Sequence, residues 1–314
     1  MHDLTRWTLP ISLLAIACNP QEPDDDGAST MPMTGSATGT GSGTSDEPET
    51  TEAPGTTDEP MTTGSSSTDD GPMDGSSSEG SETSAGGMPG DWLLTVDNGT
   101  NPPRLLKVGL DGATTEICSL APTVTYTSLV FERDGTLYGH NAAASRIDTI
   151  NPCNCSFQIV GPTSLGSIVL SLGAVGSDEL LGLDTALDAM VRVDPDTGLG
   201  TVVGPLGFMY GTGAMAWSDL IATPYAIEGD NDYLYTVNPS TGESTPLVPV
   251  SADLTDPGLA VHPNDDGLYA CSGTDLYTVE PASGLMLPVA TLGMTGACRT
   301  LTAPQTAVAC VDSL

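Results

Sequence analysis

One spacing constrains this chain more than any motif in it. The segments RIDTINPCNC (146–155), RVDPDTGLG (192–200), YTVNPSTGE (235–243) and YTVEPASGL (277–285) are variants of one unit. Their aligned apolar residues, Ile150, Val193, Val237 and Val279, stand 43, 44 and 42 residues apart. A further 42 residues back lies Val108, in LLKVGLDGAT, a decayed fifth copy. Short apolar runs between turns fill each unit, and helical periodicity is nowhere sustained after Asp91. A small-residue strand such as GAMAW (213–217) or GLAVH (258–262) comes first, and a turn such as NDDG (264–267) follows. A second strand (GLYAC, 267–271) and a third (LYTV, 276–279) lead to a P-x-[ST]-G turn. The last strand runs into a Gly/Pro loop, as in TVVGPLG (201–207). Asp and Asn suit such turns because they bond their own backbone, and glycine supplies the positive φ.

Four short strands repeating at this period are the blades of a β-propeller. A second register agrees: Phe131, Val175, Trp217 and Val261, on the expected innermost strands, are spaced by 44, 42 and 44. GACRT (296–300) and TAVACV (306–311) are expected as first and second strands of an incomplete unit. WLLTV (92–96), LLKVGL (105–110) and TEICSL (115–120) supply second, third and fourth. The C-terminus is thus expected to complete the N-terminal blade, which removes exposed sheet edges. The expectation is an all-β chain with five or six blades, six because one second strand is surplus. Residues 91–314 resemble β-propeller repeats of the YVTN-like or quinoprotein-like sort. Two features of such families are missing: a tryptophan-docking signature, since only Trp92 and Trp217 follow the signal, and the GH…WD marks of WD40 blades.

The chain start is an export signal. Arg6 precedes the apolar stretch TLPISLLAIA, which is too short to span a bilayer. Its ending, Ala15-Ile16-Ala17-Cys18, resembles the lipobox of bacterial lipoproteins. That resemblance implies cleavage after residue 17 and acylation of Cys18. Asn19 after the cysteine, in place of the Asp that resembles an inner-membrane retention signal, favours the outer membrane. Residues 19–90 hold 15 Asp or Glu and no Lys or Arg among Ser, Thr, Gly and Pro. Such a segment buries too little apolar surface to offset its chain entropy, so 18–90 is expected to be a disordered acidic tether. The 72 residues from 19 to 90 would span roughly 45–50 Å. From Asp91 onward 25 acidic residues face 6 basic ones, and Lys107 is the only lysine in the chain. Affinity for phosphate backbones rests on Lys and Arg, so nucleic acid is excluded as a partner, and membrane attachment is expected through lipid only.

Six cysteines follow Cys18, and an even number in an exported chain implies disulfides. Cys153 and Cys155 are expected either in a tight local bridge or with partners elsewhere in the propeller, and Cys298 with Cys310 across a C-terminal hairpin. No catalytic set stands out. His140 and His262 lie in different units, and no HExxH, paired CxxC or phosphate loop is present. Asp194, Asp196, Asp230, Asp232, Asp265 and Asp266 lie in turns without EF-hand spacing. No catalytic or metal-binding residue is therefore assigned and no cofactor is expected, with calcium the one candidate. The leading expectation is a lipid-anchored cell-envelope binding or scaffold protein whose propeller engages a protein or glycan at the cell surface. The alternative is a calcium-dependent hydrolase or lactonase working in the channel, which needs carboxylates from three or more blades converging at its mouth.

Overall fold

The computed structural model describes residues 87–165, 169–176 and 178–314; the signal segment, Cys18 and the tether up to residue 86 lie outside the described residues. The folded part is a five-bladed β-propeller. Blade I holds β1 (Trp92–Asp97), β2 (Arg104–Gly109) and β3 (Thr114–Ser119). Blade II holds β4 (Tyr126–Phe131), β5 (Leu137–Asn141), β6 (Arg146–Ile150) and β7 (Phe157–Pro162). Blade III holds β8 (Val169–Ala174), β9 (Leu180–Asp184), β10 (Ala189–Val193) and β11 (Gly200–Pro205). Blade IV holds β12 (Gly213–Ser218), β13 (Thr223–Glu228), β14 (Tyr233–Val237) and β15 (Ser244–Pro249). Blade V holds β16 (Gly258–His262), β17 (Gly267–Ser272), β18 (Asp275–Glu280) and β19 (Leu285–Thr291). Each is an antiparallel meander in chain order.

Burial follows position in the blade. Strands β1, β5, β9 and β16 are buried at every residue, because blades cover both of their faces. Their sequences accordingly do not alternate: apolar residues come first and the polar ones gather toward the C-terminal end. The five residues of the repeat, Val108, Ile150, Val193, Val237 and Val279, are all buried third-strand positions. The outermost strands are largely exposed, and each carries a register shift at the same place. A bulge there, with Pro246 and Pro288 inside β15 and β19, blunts an edge that would otherwise invite pairing with another chain.

The blades meet through a recurring close approach at the rim. Just past the bulge, Gly161 lies opposite Ile147 and Gly204 opposite Met190. A Cβ on Gly161 would sit 2.0 Å from the Thr197 carbonyl oxygen, and one on Gly204 2.0 Å from that of Thr241. Each glycine therefore receives the P-x-[ST]-G turn of the next blade against its backbone. The receiving turns place Gly198, Gly242 and Gly284 at φ of 74°, 76° and 70°. Gly161→Ala and Gly204→Ala should each cost about 2–3 kcal/mol through overpacking. Gly173→Ala should cost far less, since its Cβ would have only ordinary contacts from 3.4 Å outward. Urea unfolding of the three variants checks this; equal midpoints would show that the rim yields freely.

Between blades I and II the same contact is covalent. Cys118, opposite Leu105 past the bulge of β3, occupies the place of Gly161 and Gly204. Cys155 stands in the turn-glycine position, also at positive φ (59°), and is bonded to Cys118. The other bridges are Cys153–Cys310 and Cys271–Cys298. Cys153 and Cys155 thus have partners elsewhere in the propeller and not each other, and the expected pair Cys298–Cys310 is not formed. Cys153 and Cys155 face different partners: Cys155 points into the core toward Cys118, and Cys153 is exposed beside Cys310. Cys298 and Cys310 share no hairpin, since TAVACV runs into a short helix, α1 (Ala309–Asp312), and is not a second strand. With that strand removed, the surplus that suggested six blades disappears.

Ring closure is at blade I, where the C-terminal segment takes the innermost position. Leu94 and Thr302 exchange backbone hydrogen bonds of 2.8 and 3.1 Å. Thr95 Oγ1 donates to the Thr300 carbonyl at 2.6 Å, and Val96 N donates to Thr300 Oγ1 at 3.0 Å. The closing stretch is thus 300–302, a little later than expected from GACRT. At the other terminus, Gly87–Gly90, read in the sequence as the end of the tether, are bonded to the domain. Gly90 O accepts from His262 Nε2 (3.0 Å), and Pro89 O from Asn264 Nδ2 (3.0 Å).

A second ring runs through the second strands, each of which ends on a buried polar residue: Asp97, Asn141, Asp184, Glu228 and Ser272. These recur at 44, 43, 44 and 44 residues. Asp184 accepts from Ala186 N and Leu187 N, and Glu228 from Asp230 N and Asn231 N. Their work is to close the hairpin that follows. Asp97 does more: besides Gly99 N it accepts from Thr295 N (2.9 Å), Gly296 N (2.8 Å) and Arg104 Nη2 (2.6 Å). Burial alone would raise its pKa, but these donors together hold its carboxyl below the usual range.

Candidate functional site

The innermost strands β4, β8, β12 and β16 and the closing segment surround a central channel. All run the same way, so their C-terminal ends gather on one face, together with the P-x-[ST]-G turns. The channel mouth on this face is lined by small and apolar residues such as Ala174, Ala216, Val261 and Ala303, and its cavity measures about 80 Å³. That holds a few waters, not a substrate of any size. At the opposite end Ser128, Ser171, Thr300 and Arg299 meet and leave no cavity. Ser171 Oγ there donates to the Met215 carbonyl (2.9 Å) and accepts from Met215 N (2.6 Å), stitching blade III to blade IV.

Polar groups at the mouth are few and come from different blades. Arg133 of blade II forms an ion pair with Asp219 of blade IV across blade III, which contributes Leu172, Gly173 and Ala174 to the lining. Trp217 Nε1 donates to the same carboxylate at 2.9 Å. Asp266 of blade V accepts from Ser218 Oγ at 3.4 Å, and Gln305 adds an amide. Arg133 and Asp219 are half exposed, so their pairing orients side chains more than it stabilises the fold. Trp217 was legible as an innermost-strand residue; Arg133 and Asp219 were not. Their one signal is that no other unit carries a charge of either sign at the matching place.

The carboxylates singled out from the sequence are dispersed. Asp194 caps its own turn by accepting from Asp196 N (2.9 Å) and Thr197 N (3.1 Å). Asp232 accepts from Leu254 N (2.8 Å) on the opposite face, where Asp230 also lies. Asp265 accepts from Gly267 N (3.0 Å). Only Asp266 reaches the mouth, and Asp196 belongs to the rim of blade III. Among the described residues, no three His, Cys, Asp or Glu side chains come together as metal ligands would. Convergence from three blades, which a calcium-dependent hydrolase would need, is not found there.

His140 and His262 are both buried. His140 Nδ1 lies 3.0 Å from Thr127 Oγ1, and burial pushes its pKa down to about 4 against the pull of Asp184 and Asp148. His262, on the other face, bonds Gly90 O through Nε2, so its Nδ1 is free to accept from Asn264 N at 3.4 Å. Among the described residues no helix is long and apolar enough to cross a membrane.

No protein-family model matches this chain, and no curated protein matches it. Among solved structures it is similar to a structural-genomics protein of unknown function from Bacteroides thetaiotaomicron (13% identity over 61% of this chain and 56% of that one, TM-score 0.45). It is also similar to a chain of a nidogen/laminin complex (12% identity, 69% and 99% covered, TM-score 0.48). A third is virginiamycin B lyase from Staphylococcus aureus (17% identity, 59% and 62% covered, TM-score 0.40). The chain spans little more than half the length of the first of these. None of these likenesses bears on activity.

Proposed function

We propose that this chain is a lipid-anchored protein of the bacterial cell envelope, in the outer membrane, that displays its propeller as a binding domain for a protein or glycan. The observation that carries the binding half is the channel mouth. Three blades bring Arg133, Trp217, Asp219 and Asp266 to one face, over a cavity of about 80 Å³ that has no room for a substrate. Such a site recognises from the surface and does not enclose. The anchoring half is supported by the sequence: Ala15-Ile16-Ala17-Cys18, then an acidic Ser/Thr-rich stretch ahead of the domain. A lipid chain at Cys18 and a long polar spacer would hold a rigid disc clear of the bilayer.

Replacing Cys18 by Ser should abolish labelling with an alkyne fatty acid and move the protein from the membrane to the soluble fraction. Retention of Cys18→Ser in the membrane fraction would sink the anchor. Display is checked by brief protease treatment of intact cells, which should cut within residues 19–86 and release the folded propeller.

A further inference from the structure

Beside the channel mouth, on the same face, a groove of about 640 Å³ separates blade II from blade III. Glu132 and Asp134 line it from the hairpin after β4, Asp178 and Glu179 from the hairpin after β8, and Asp194 and Asp196 from the turn after β10. At its wall Glu132 is only 3% exposed, and its Oε1 has no hydrogen-bond partner. Burial, with Asp134 and Asp178 nearby, pushes the Glu132 carboxyl up to about 7, and the adjacent Tyr138 hydroxyl offsets this only in part. A buried acceptor with nothing to accept is costly, so this oxygen is open to a donor from outside the chain.

Among the described residues no cation is to spare. Between residues 91 and 314 there are six basic side chains. Arg104, Arg133, Arg146, Arg192 and Arg299 pair with Asp97, Asp219, Asp148, Glu179 and Asp256, and Lys107 donates to the Val311 carbonyl. Arg192, the one cation in the groove, is thus held by Glu179. A metal ion fits poorly, because the carboxylates are spread along the groove and do not form a set of three ligands. A planar guanidinium on a flexible apolar stem fits better. It can donate to Glu132 and to a second carboxylate at once, while its stem lies along Tyr138, Pro195 and Leu199.

We propose that the groove between blades II and III binds an arginine side chain of a basic peptide segment in the partner protein, with Glu132 as the buried acceptor and Asp196 as the exposed one. This deepens the surface-binding role by naming the chemistry of the partner. It does not depend on Cys18, so failure of the anchor and failure of the groove are separate outcomes.

The test titrates the full-length chain with a short amidated Gly-Arg-Gly peptide, with the same peptide carrying citrulline, and with calcium. The arginine peptide should bind and the citrulline peptide should not. Glu132→Gln should weaken binding roughly tenfold or more, and Asp196→Asn, at an exposed position unimportant for folding, about threefold. Glu243→Gln, an equal charge loss in an exposed turn of blade IV, should leave binding unchanged. Equal effects of Glu132→Gln and Glu243→Gln would reduce the groove to diffuse surface charge and overturn the proposal. So would absence of peptide binding, or calcium binding that depends on Glu132 while the peptide fails.

Discussion

Deletion of residues 300–314 should leave a chain that no longer unfolds cooperatively. The segment is short, but it is the innermost strand of blade I and ties it to blade II as well. Without it, Leu94 loses both backbone bonds to Thr302, and Val96 N loses Thr300 Oγ1. Phe131 N, in blade II, loses Thr302 Oγ1 at 3.1 Å. Leu301 and Val311, both buried, each remove roughly 1.5–3 kcal/mol of apolar burial. Trp92 Nε1 loses Asp312, and Lys107 loses the Val311 carbonyl. Cys153 loses its partner as well. Together these losses compare with the roughly 5–15 kcal/mol that holds a whole domain folded. Circular dichroism and urea titration of the truncated and full-length chains decide the matter. A truncated chain with an unchanged midpoint would mean that the blades need no closing strand.

The repeat was visible in the sequence because third strands must be buried whatever the blade does. Val108, Ile150, Val193, Val237 and Val279 have no freedom to become polar. Closure was visible for a related reason, since an unfinished unit at each end implies that they finish each other. The blade count stayed open because TAVACV has the alternation of a strand. In the structure it packs Val311 inward from α1 while Cys310 bonds to Cys153, and a tertiary contact overrides the local pattern. The ring from Asp97 to Ser272 kept the period yet escaped notice. Its work is to accept backbone N–H groups, from the hairpin that follows at Asp97, Asp184 and Glu228 and from the segment before the blade at Asn141 and Ser272, so identity varies with the partner. Arg133 and Asp219 escaped for the opposite reason. They are 86 residues apart in the chain and meet across blade III, which contributes no charged side chain to the lining between them. Disulfide pairing was hidden as well, because Cys155 stands where the other turns have glycine, and only the rim contact shows why Cys118 is its partner.

That same rim gives a way to weigh the cross-links, and Cys153–Cys310 is the bridge with the largest expected effect. It joins residues 157 positions apart, against 37 for Cys118–Cys155 and 27 for Cys271–Cys298. Loop-closure entropy then assigns it about 5 kcal/mol, and the other two about 4 and 3.5. It is also the cleanest to remove. Cys153 is exposed and Cys310 half-buried, whereas Cys155, Cys271 and Cys298 lie in the core. Replacing Cys153 and Cys310 together by Ser therefore deletes a constraint on the unfolded chain with little packing loss in the folded one. The melting temperature should fall by roughly 10–20 °C, with the urea midpoint falling in step. Exposure also sets the order of chemical reduction: under dithiothreitol Cys153–Cys310 should open first and Cys271–Cys298 last. An unchanged melting temperature in the double variant would mean that the backbone exchange between Leu94 and Thr302 already holds the ring shut without the bridge. In that case the deletion of 300–314 would still unfold the chain, and the two results together would place the closure in the strand and not in the sulfur.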